Sequence, residues 1–484
     1  MVCVKIETLI TKRGLRPVKR IGKTILAVSI AVLMAFGVTA CGAKGPKGTL
    51  TLSAEYLSAP IGATAVFSVT FESQDADAES TPIHWKSSKA SVATVDENGV
   101  LTAKKAGKAT ITATCGKTKA SCVVEVFDGA NKEEVTAEDA RVNVSKHQSK
   151  MEISRKKVLA EHFSPSDAVI GITDGQDRAL PFEMENDVIR LFEAGDIGVS
   201  TWKFYTQKKV VAASVCHATH IVGGLSDFAA LSDDWDKATL GNGNELFVDW
   251  KATNATKDWY VALDDNIDGA MGIEYLRYYT FGRKDAKDGG FAVFNGTFDG
   301  RGYALKGVRT ERGFITILGP TGVIKNTAFI KTRCGEVGGG GVLGWVGFGT
   351  VENVFIQADL YYESQHQSGM YWYTDKETPL TVKDCLVMIE MKEGGGKWPS
   401  GDWNNPGFFS TNGVDNGNAQ TNVIDSYGIS ACFTRVDGAR DGTEGIAFRD
   451  YEAFLASSAF DSFGDMWEFG PENIFYGGEL VFSL

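Results

Sequence analysis

Val323-Ile324-Lys325-Asn326-Thr327-Ala328-Phe329-Ile330 decides how the second half of this chain folds, because its pattern returns three times. The later copies are Val351-Glu352-Asn353-Val354-Phe355-Ile356, Val382-Lys383-Asp384-Cys385-Leu386-Val387 and Val423-Ile424-Asp425-Ser426-Tyr427-Gly428-Ile429. Aligned on the Asn or Asp, they are spaced by 27, 31 and 41 residues. A second landmark, a Gly followed by apolar residues, falls at Gly313, Gly341, Gly369 and Gly407, with spacings of 28, 28 and 38. A repeat of this length signals a solenoid. One coil cannot bury its apolar side alone, whereas stacked coils build a continuous core. Two short β runs per unit, separated by Gly-rich turns, predict a parallel β-helix. In such a stack Asn326, Asn353, Asp384 and Asp425 form one column. Their side chains bond along the stack and satisfy backbone at a tight corner, a structural role rather than a catalytic one.

Working outward, Trp259-Tyr260-Val261-Ala262-Leu263-Asp264-Asp265-Asn266-Ile267-Asp268 and Phe294-Asn295-Gly296-Thr297-Phe298-Asp299-Gly300-Arg301-Gly302-Tyr303-Ala304-Leu305 read as earlier coils. The second resembles a motif of bacterial surface β-helix proteins, including those with GLUG repeats, across roughly residues 220–430. That resemblance implies a right-handed parallel β-helix and is architectural more than enzymatic. Ser226-Asp227-Phe228-Ala229-Ala230-Leu231 starts a capping helix with Ser226 as its N-cap. Tyr451-Glu452-Ala453-Phe454-Leu455 is a short helix, and Trp467 with Leu480-Val481-Phe482 is expected to cover the open end of the solenoid.

The first half reads differently. From Thr49 to about Phe127 the chain is a series of short alternating strands, among them Thr64-Ala65-Val66-Phe67-Ser68-Val69, Lys108 to Thr114 and Ser121 to Val126. Val92-Ala93-Thr94-Val95, a turn at Asp96-Glu97-Asn98-Gly99, and Val100-Leu101-Thr102-Ala103 form a hairpin. About 80 residues of such strands suggest a small β-sandwich. Trp85-Lys86-Ser87-Ser88, Val92 to Asp96, Asn98-Gly99-Val100, Ala106-Gly107 and Thr110-Ile111-Thr112-Ala113 resemble the bacterial Ig-like domain of group 2, found in intimin- and invasin-type surface proteins. The resemblance implies a spacer or adhesion module without catalysis, and Trp85 is read as a core residue. A hairpin with its tip at Thr118-Lys119 places Cys115 and Cys122 opposite each other, either as a cross-strand disulfide or as two buried thiols. Residues 128–219 read as a linker, Lys132 to Arg141, followed by β-rich capping structure. Strands are expected at Ala168 to Ile172 and at Lys209 to Val215, with a short helix or strand within 187–194.

The start of the chain carries an export signal. Basic residues from Lys12 to Lys23 precede an uncharged apolar run, Thr24 to Val38, which is shorter than the roughly 20 residues that span a bilayer. Val38-Thr39-Ala40-Cys41 resembles the bacterial lipobox. That resemblance implies cleavage between Ala40 and Cys41, diacylation of Cys41, and loss of residues 1–40. Two or three acyl chains, at about 0.8 kcal/mol per buried CH₂, hold a protein at a membrane. The expected organisation is a signal peptide (1–40), a lipidated tether (41–48), an Ig-like domain (49–127), a linker and cap (128–219), and a parallel β-helix with a C-terminal cap (220–484). The full chain has a net charge of −12. Residues 1–40 carry seven basic residues and one acidic, so their loss leaves 444 residues with a net of −18. That charge excludes nucleic acid and anionic lipid surfaces as natural partners. The six remaining cysteines are too few for a disulfide framework.

Candidate chemistry is sparse. Asp264, Asn266 and Asp268, with Gly269 sixth, match the first half of a calcium loop, but position 12 is Tyr275, so the segment reads as a coil turn and no metal is assigned. His217 and His220 lie in β-like context, where an i, i+3 pair does not converge on a metal. No cofactor motif is present. Tyr361, Tyr362, Tyr371, Trp372, Tyr373, Trp398 and Trp403 cluster near coil inserts, where aromatic faces stack on sugar rings, although alternation sends half of such a cluster into the core. The expectation is an all-β, monomeric, non-catalytic surface lipoprotein on the extracytoplasmic face, binding glycan or protein. The alternatives are a polysaccharide lyase or hydrolase on the same β-helix, and a purely structural envelope protein.

Overall fold

A computed structural model describes residues 25–27, 47–74, 81–145, 152–154, 168–185, 188–192, 195–228, 230–231, 256–268, 293–307, 309–310, 313–334, 340–361, 367–374, 377–392, 408, 410–412, 421–429 and 447–483. The chain is almost entirely β and divides into two compact units. The first comprises residues 1–134, 167–182 and 203–210; the second holds the remainder.

In the first unit, residues 48–127 form a sandwich. One sheet contains Tyr56–Pro60, Thr118–Phe127, Gly107–Cys115 and Ile83–Ser87 in that order, and a facing sheet pairs Gly48–Leu52 with Val69–Ser73. Strict alternation buries Ala109, Ile111 and Ala113 from one strand and Cys122, Val124 and Val126 from its neighbour. The expected hairpin pairs Ala93 with Ala103 and Val95 with Leu101. The Asp96 carboxylate closes its turn by accepting from the Asn98 and Val100 amides at 2.9 and 2.8 Å. Gly99 has φ +78, and a β-carbon there would strike the Trp85 ring, so the turn requires glycine twice over. Trp85 packs on the core and stacks on Phe67.

Of the two readings of Cys115 and Cys122, the buried thiols hold, while the disulfide and the expected hairpin tip do not. The hairpin turns at Gly116-Lys117, so Cys115 faces Thr118 and Cys122 faces Ile111. Both are buried free thiols. Burial pushes the Cys122 thiol up to about 12, as it does Cys385 in the second unit, and holds Cys216 at about 11. In the unfolded chain these thiols ionise near pH 9, losing protons that the folded state retains. Stability is therefore expected to fall as pH rises above about 9, and Cys122→Ala should flatten part of that loss, as read by urea midpoints between pH 8 and 11.

The segment expected as a linker is instead strand. Glu133–Ser145 is one strand, beside Lys209–Ala218 in a sheet. Its charge misleads because Ala137 and Val142 are buried, although Glu133 and Glu134 at its start are exposed. The 168–172 segment becomes strand only at Gly171–Thr173, and 187–194 contains the strand Val188–Leu191.

The second unit contains the parallel β-helix. Its long sheet pairs Val323–Cys334 with Thr350–Tyr361 in parallel, then continues through Leu380–Lys383 and Leu386–Lys392 to Thr421–Ile424 and Tyr427–Ile429. Upstream coils at Tyr260–Leu263 and Thr297–Asp299 join in the same register. A separate parallel sheet stacks Val293–Phe294, Ile317–Leu318, Gly344–Gly347, Tyr371–Tyr373 and Ser410–Asn412. Between the sheets lies one core, with Phe298, Ile324, Val351 and Val382 in file before the Asn corner and Leu305, Phe329, Ile356 and Val387 after it. Phe314 packs edge-on between Phe298 and Phe329 at 5.0 and 5.2 Å. At Gly344 a β-carbon would lie 2.0 Å from the Ile315 carbonyl and 2.3 Å from the Tyr371 ring, so this glycine lets successive coils close on that tyrosine.

Two capping expectations change. The first-coil helix begins at Leu225, with the Gly224 carbonyl accepting from Phe228, so Ser226 lies inside the first turn and is not the N-cap. Its Phe228 and Leu231 are buried in the core. At the other end, Tyr451–Ala456 is a helix whose N-cap Asp450 accepts from the Ala453 amide at 2.8 Å. The helix and the antiparallel strands Trp467–Phe469, Asn473–Tyr476 and Glu479–Ser483 do not sit on the open end. They pack along the side of the solenoid, against Ala304, Ala328, Phe355, Leu386 and Ile429 from successive coils. After the Asn corner the strands are apolar on both faces, and the outer face needs this cover.

Candidate functional site

The solenoid has three outer faces. The one after the Asn corner lies under the C-terminal segment. On the separate sheet, Val293, Ile317 and Val346 point outward yet are buried. The face before the corner is polar and, over its later coils, half exposed. Alternation places two columns there. One runs Tyr260, Thr297, Val323, Thr350, Thr381, Asn422; the other runs Ala262, Asp299, Lys325, Glu352, Lys383, Ile424. Neighbouring rungs lie about 4.8 Å apart, the spacing of paired strands. Charges along the second column are mutually paired, Lys325 with Asp299 at 3.7 Å and Lys383 with Glu352 at 2.7 Å, and Lys383 also reaches Asp384 at 3.4 Å.

One end of this face is closed by a buried polar knot. Asp299, 1% exposed, accepts from the Tyr260 hydroxyl at 2.5 Å, the Arg301 amide at 2.9 Å and the Asn326 side chain at 3.0 Å. Burial, and then the Asp299 carboxylate, push the Tyr260 phenol far up, so it remains a donor. Arg301 sits at φ +57 beside Cys216; burial outweighs that cation and keeps the thiol protonated.

Along the edge of the face runs the corner column. Asn326, Asn353, Asp384 and Asp425 have φ of 53°, 53°, 53° and 43°, the left-handed region that Asn and Asp tolerate best among residues with a β-carbon. They occupy equivalent rungs in the parallel register. The Asn353 amide donates to the Asn326 oxygen at 2.9 Å, and Asn326 donates onward to Asp299. The Asn353 side-chain oxygen accepts from the Trp467 indole and its backbone carbonyl from the Tyr476 hydroxyl. At that rung the column is bound to the C-terminal segment.

Of the aromatics expected to stack on a ligand, Tyr371 and Tyr373 have described side chains, and these two belong to different clusters. Tyr371 is fully buried in the solenoid core, so its ring is not available to stack on a ligand. Tyr373 lies on the outer side of the separate sheet, half buried beside Val346. Trp372 lies on the same strand, its side chain outside the described set, while Tyr362, Trp398, Trp403, Ala40 and Cys41 lie outside the described residues altogether. Asp264, Asn266 and Asp268 occupy a coil turn in which the Asn266 side chain accepts from the Ala304 amide at 2.7 Å, so that oxygen is already committed to the backbone. His217 and His220 are buried in strands, and His217 Nδ1 lies 2.7 Å from the Gly195 carbonyl. No group of ligands able to hold a metal occurs among the described residues.

Sequence reading missed Tyr260, Asp299, Arg301, Lys325, Glu352 and Lys383. A signal was present: the residue immediately before each of the first three landmark Asn or Asp positions is charged.

No curated protein matches this chain. Among solved structures, domains 4–9 of the surface layer protein SbsC are 15% identical, with 39% of this chain and 36% of that chain covered and a TM-score of 0.17. This chain thus spans about a third of that structure. A Bacteroides ovatus protein provisionally named an immunoglobulin A1 protease is 10% identical, with 54% of this chain and 91% of that chain covered and a TM-score of 0.30. Residues 49–126, which hold the sandwich with Trp85 and the Val92–Ala103 hairpin, match the family model of the bacterial Ig-like domain (group 2).

Proposed function

We propose that this chain is a lipid-anchored display protein of a bacterial surface: Cys41 holds it to the membrane, the Ig-like domain acts as a spacer, and the β-helix presents a non-catalytic binding face. The observation that carries this reading is the uneven clothing of the solenoid. Among the described residues, two outer faces are largely buried, and the third keeps polar and charged side chains half exposed in regular columns. The carboxylates on that face favour binding over acid–base chemistry. Asp299 is held by three hydrogen bonds, and Glu352 and Asp384 are both engaged by Lys383. The group 2 Ig-like match fits an extracytoplasmic setting.

The anchor is tested in cells. Cys41→Ser is expected to abolish incorporation of labelled palmitate and to leave the protein unprocessed, while the native chain fractionates with membranes and is shaved from intact cells by added protease. Persistent labelling of the Cys41→Ser chain would remove the anchor. Release of products from neutral or acidic polysaccharides by the purified protein would replace the binding role with an enzymatic one.

A further inference from the structure

Resting on the display reading, we infer that the face before the Asn corner takes an uncharged polysaccharide laid along the solenoid axis. Three observations point there. The face repeats a hydroxyl or amide at successive rungs: Thr350, Thr381 and Asn422 follow one another in parallel register, with Thr297 two rungs before Thr350. A polymer of pyranose units presents hydroxyls at a comparable interval, so one sugar can meet one rung. The charged column beside them is already neutralised within itself, because Lys325 pairs with Asp299 and Lys383 with Glu352. An anionic polymer would have to break those pairs and approach a strongly acidic chain, and a cationic one would compete with the same lysines. An uncharged chain pays neither cost. The lysine stems and the exposed Ile424 supply apolar surface for the sugar faces. At its other end the face is closed, with Ala262, Asp299 and Arg301 buried, so the exposed run lies over the later rungs.

The test uses the intact, detergent-solubilised protein. In native gels containing β-1,4-glucan, mannan or xylan, at least one should retard it, while alginate and polygalacturonate should not. Thr350→Glu with Thr381→Glu is expected to weaken that retardation about tenfold, the loss of one or two hydrogen-bonded subsites, while Thr350→Ser with Thr381→Ser stays within about threefold. Leu480→Glu, on the C-terminal edge strand, should change nothing. Should the double glutamate variant fail to fold, the unaltered protein still gives an answer: saturating neutral oligosaccharide should slow acylation of Lys325 and Lys383 relative to other lysines. Retardation by polyanions alone, or no retardation in any gel, overturns the inference. Glycan binding without protection of the two lysines also overturns it, yet leaves the display function standing. Failure of palmitate labelling strikes the anchor and not this face.

Discussion

Asn353→Ala should destabilise the solenoid by about 3 kcal/mol, more than any other single change on the corner column. An alanine held at φ near +53° costs roughly 1 kcal/mol over a residue at ease there. Loss of the side chain also leaves the Trp467 indole N–H and the Asn326 oxygen without their partner, and a buried group stranded in this way costs about 1–3 kcal/mol. Substitutions separate the two contributions. Asn353→Gly keeps the backbone comfortable and should recover only the first. Asn353→Asp keeps an acceptor for Trp467, loses the donor to Asn326, and should fall between. Urea midpoints measure the series, and a cycle with Trp467→Phe should show coupling of about 1 kcal/mol. Equal stability of Asn353→Ala and the native chain would mean that the column is ornamental.

Phe355→Ala should cost about 3–5 kcal/mol, the range for emptying a buried aromatic site. Phe355 is fully buried and points outward from the solenoid wall, with its ring edge-on to Trp467. Its loss is expected to loosen the C-terminal segment ahead of the coils, because Phe355 belongs to that segment's cluster and not to the solenoid interior. Limited proteolysis should therefore cut within residues 450–483 before any other described region. Truncating the interior neighbour, Ile356→Ala, removes less volume but acts on the main core, and cleavage should then spread through the coils. Identical cleavage patterns for the two variants would show that segment and solenoid melt as one body.

Much of this fold could be read in the residues alone, for reasons that are local. A corner in left-handed conformation accepts few residue types, so Asn and Asp recur there and announce the repeat. The Ig-like hairpin is similarly dictated by the Asp96 side chain and Gly99. What stayed hidden depends on which way a strand residue faces. Tyr371 looked like a surface aromatic and fills the interior. Lys325, Glu352 and Lys383 form a column only once the register is known, since inserts of unequal length separate them. The C-terminal segment looked like an end cap because Ala328, Phe355 and Leu386 are indistinguishable in sequence from interior residues, yet they are what it covers. Ser226 was a plausible cap, but the chain starts that helix two residues earlier on Gly224.

The lateral course of the C-terminal segment has a mechanical consequence. A bare stack of coils under tension would unravel rung by rung, each giving way at a modest load. Here one strap touches rungs from Ala304 to Ile429 and is pinned at Asn353 through Trp467 and Tyr476. Pulling therefore meets several rungs in parallel, so the stack should hold to a higher force and then yield abruptly, like a zip with its slider riveted halfway along.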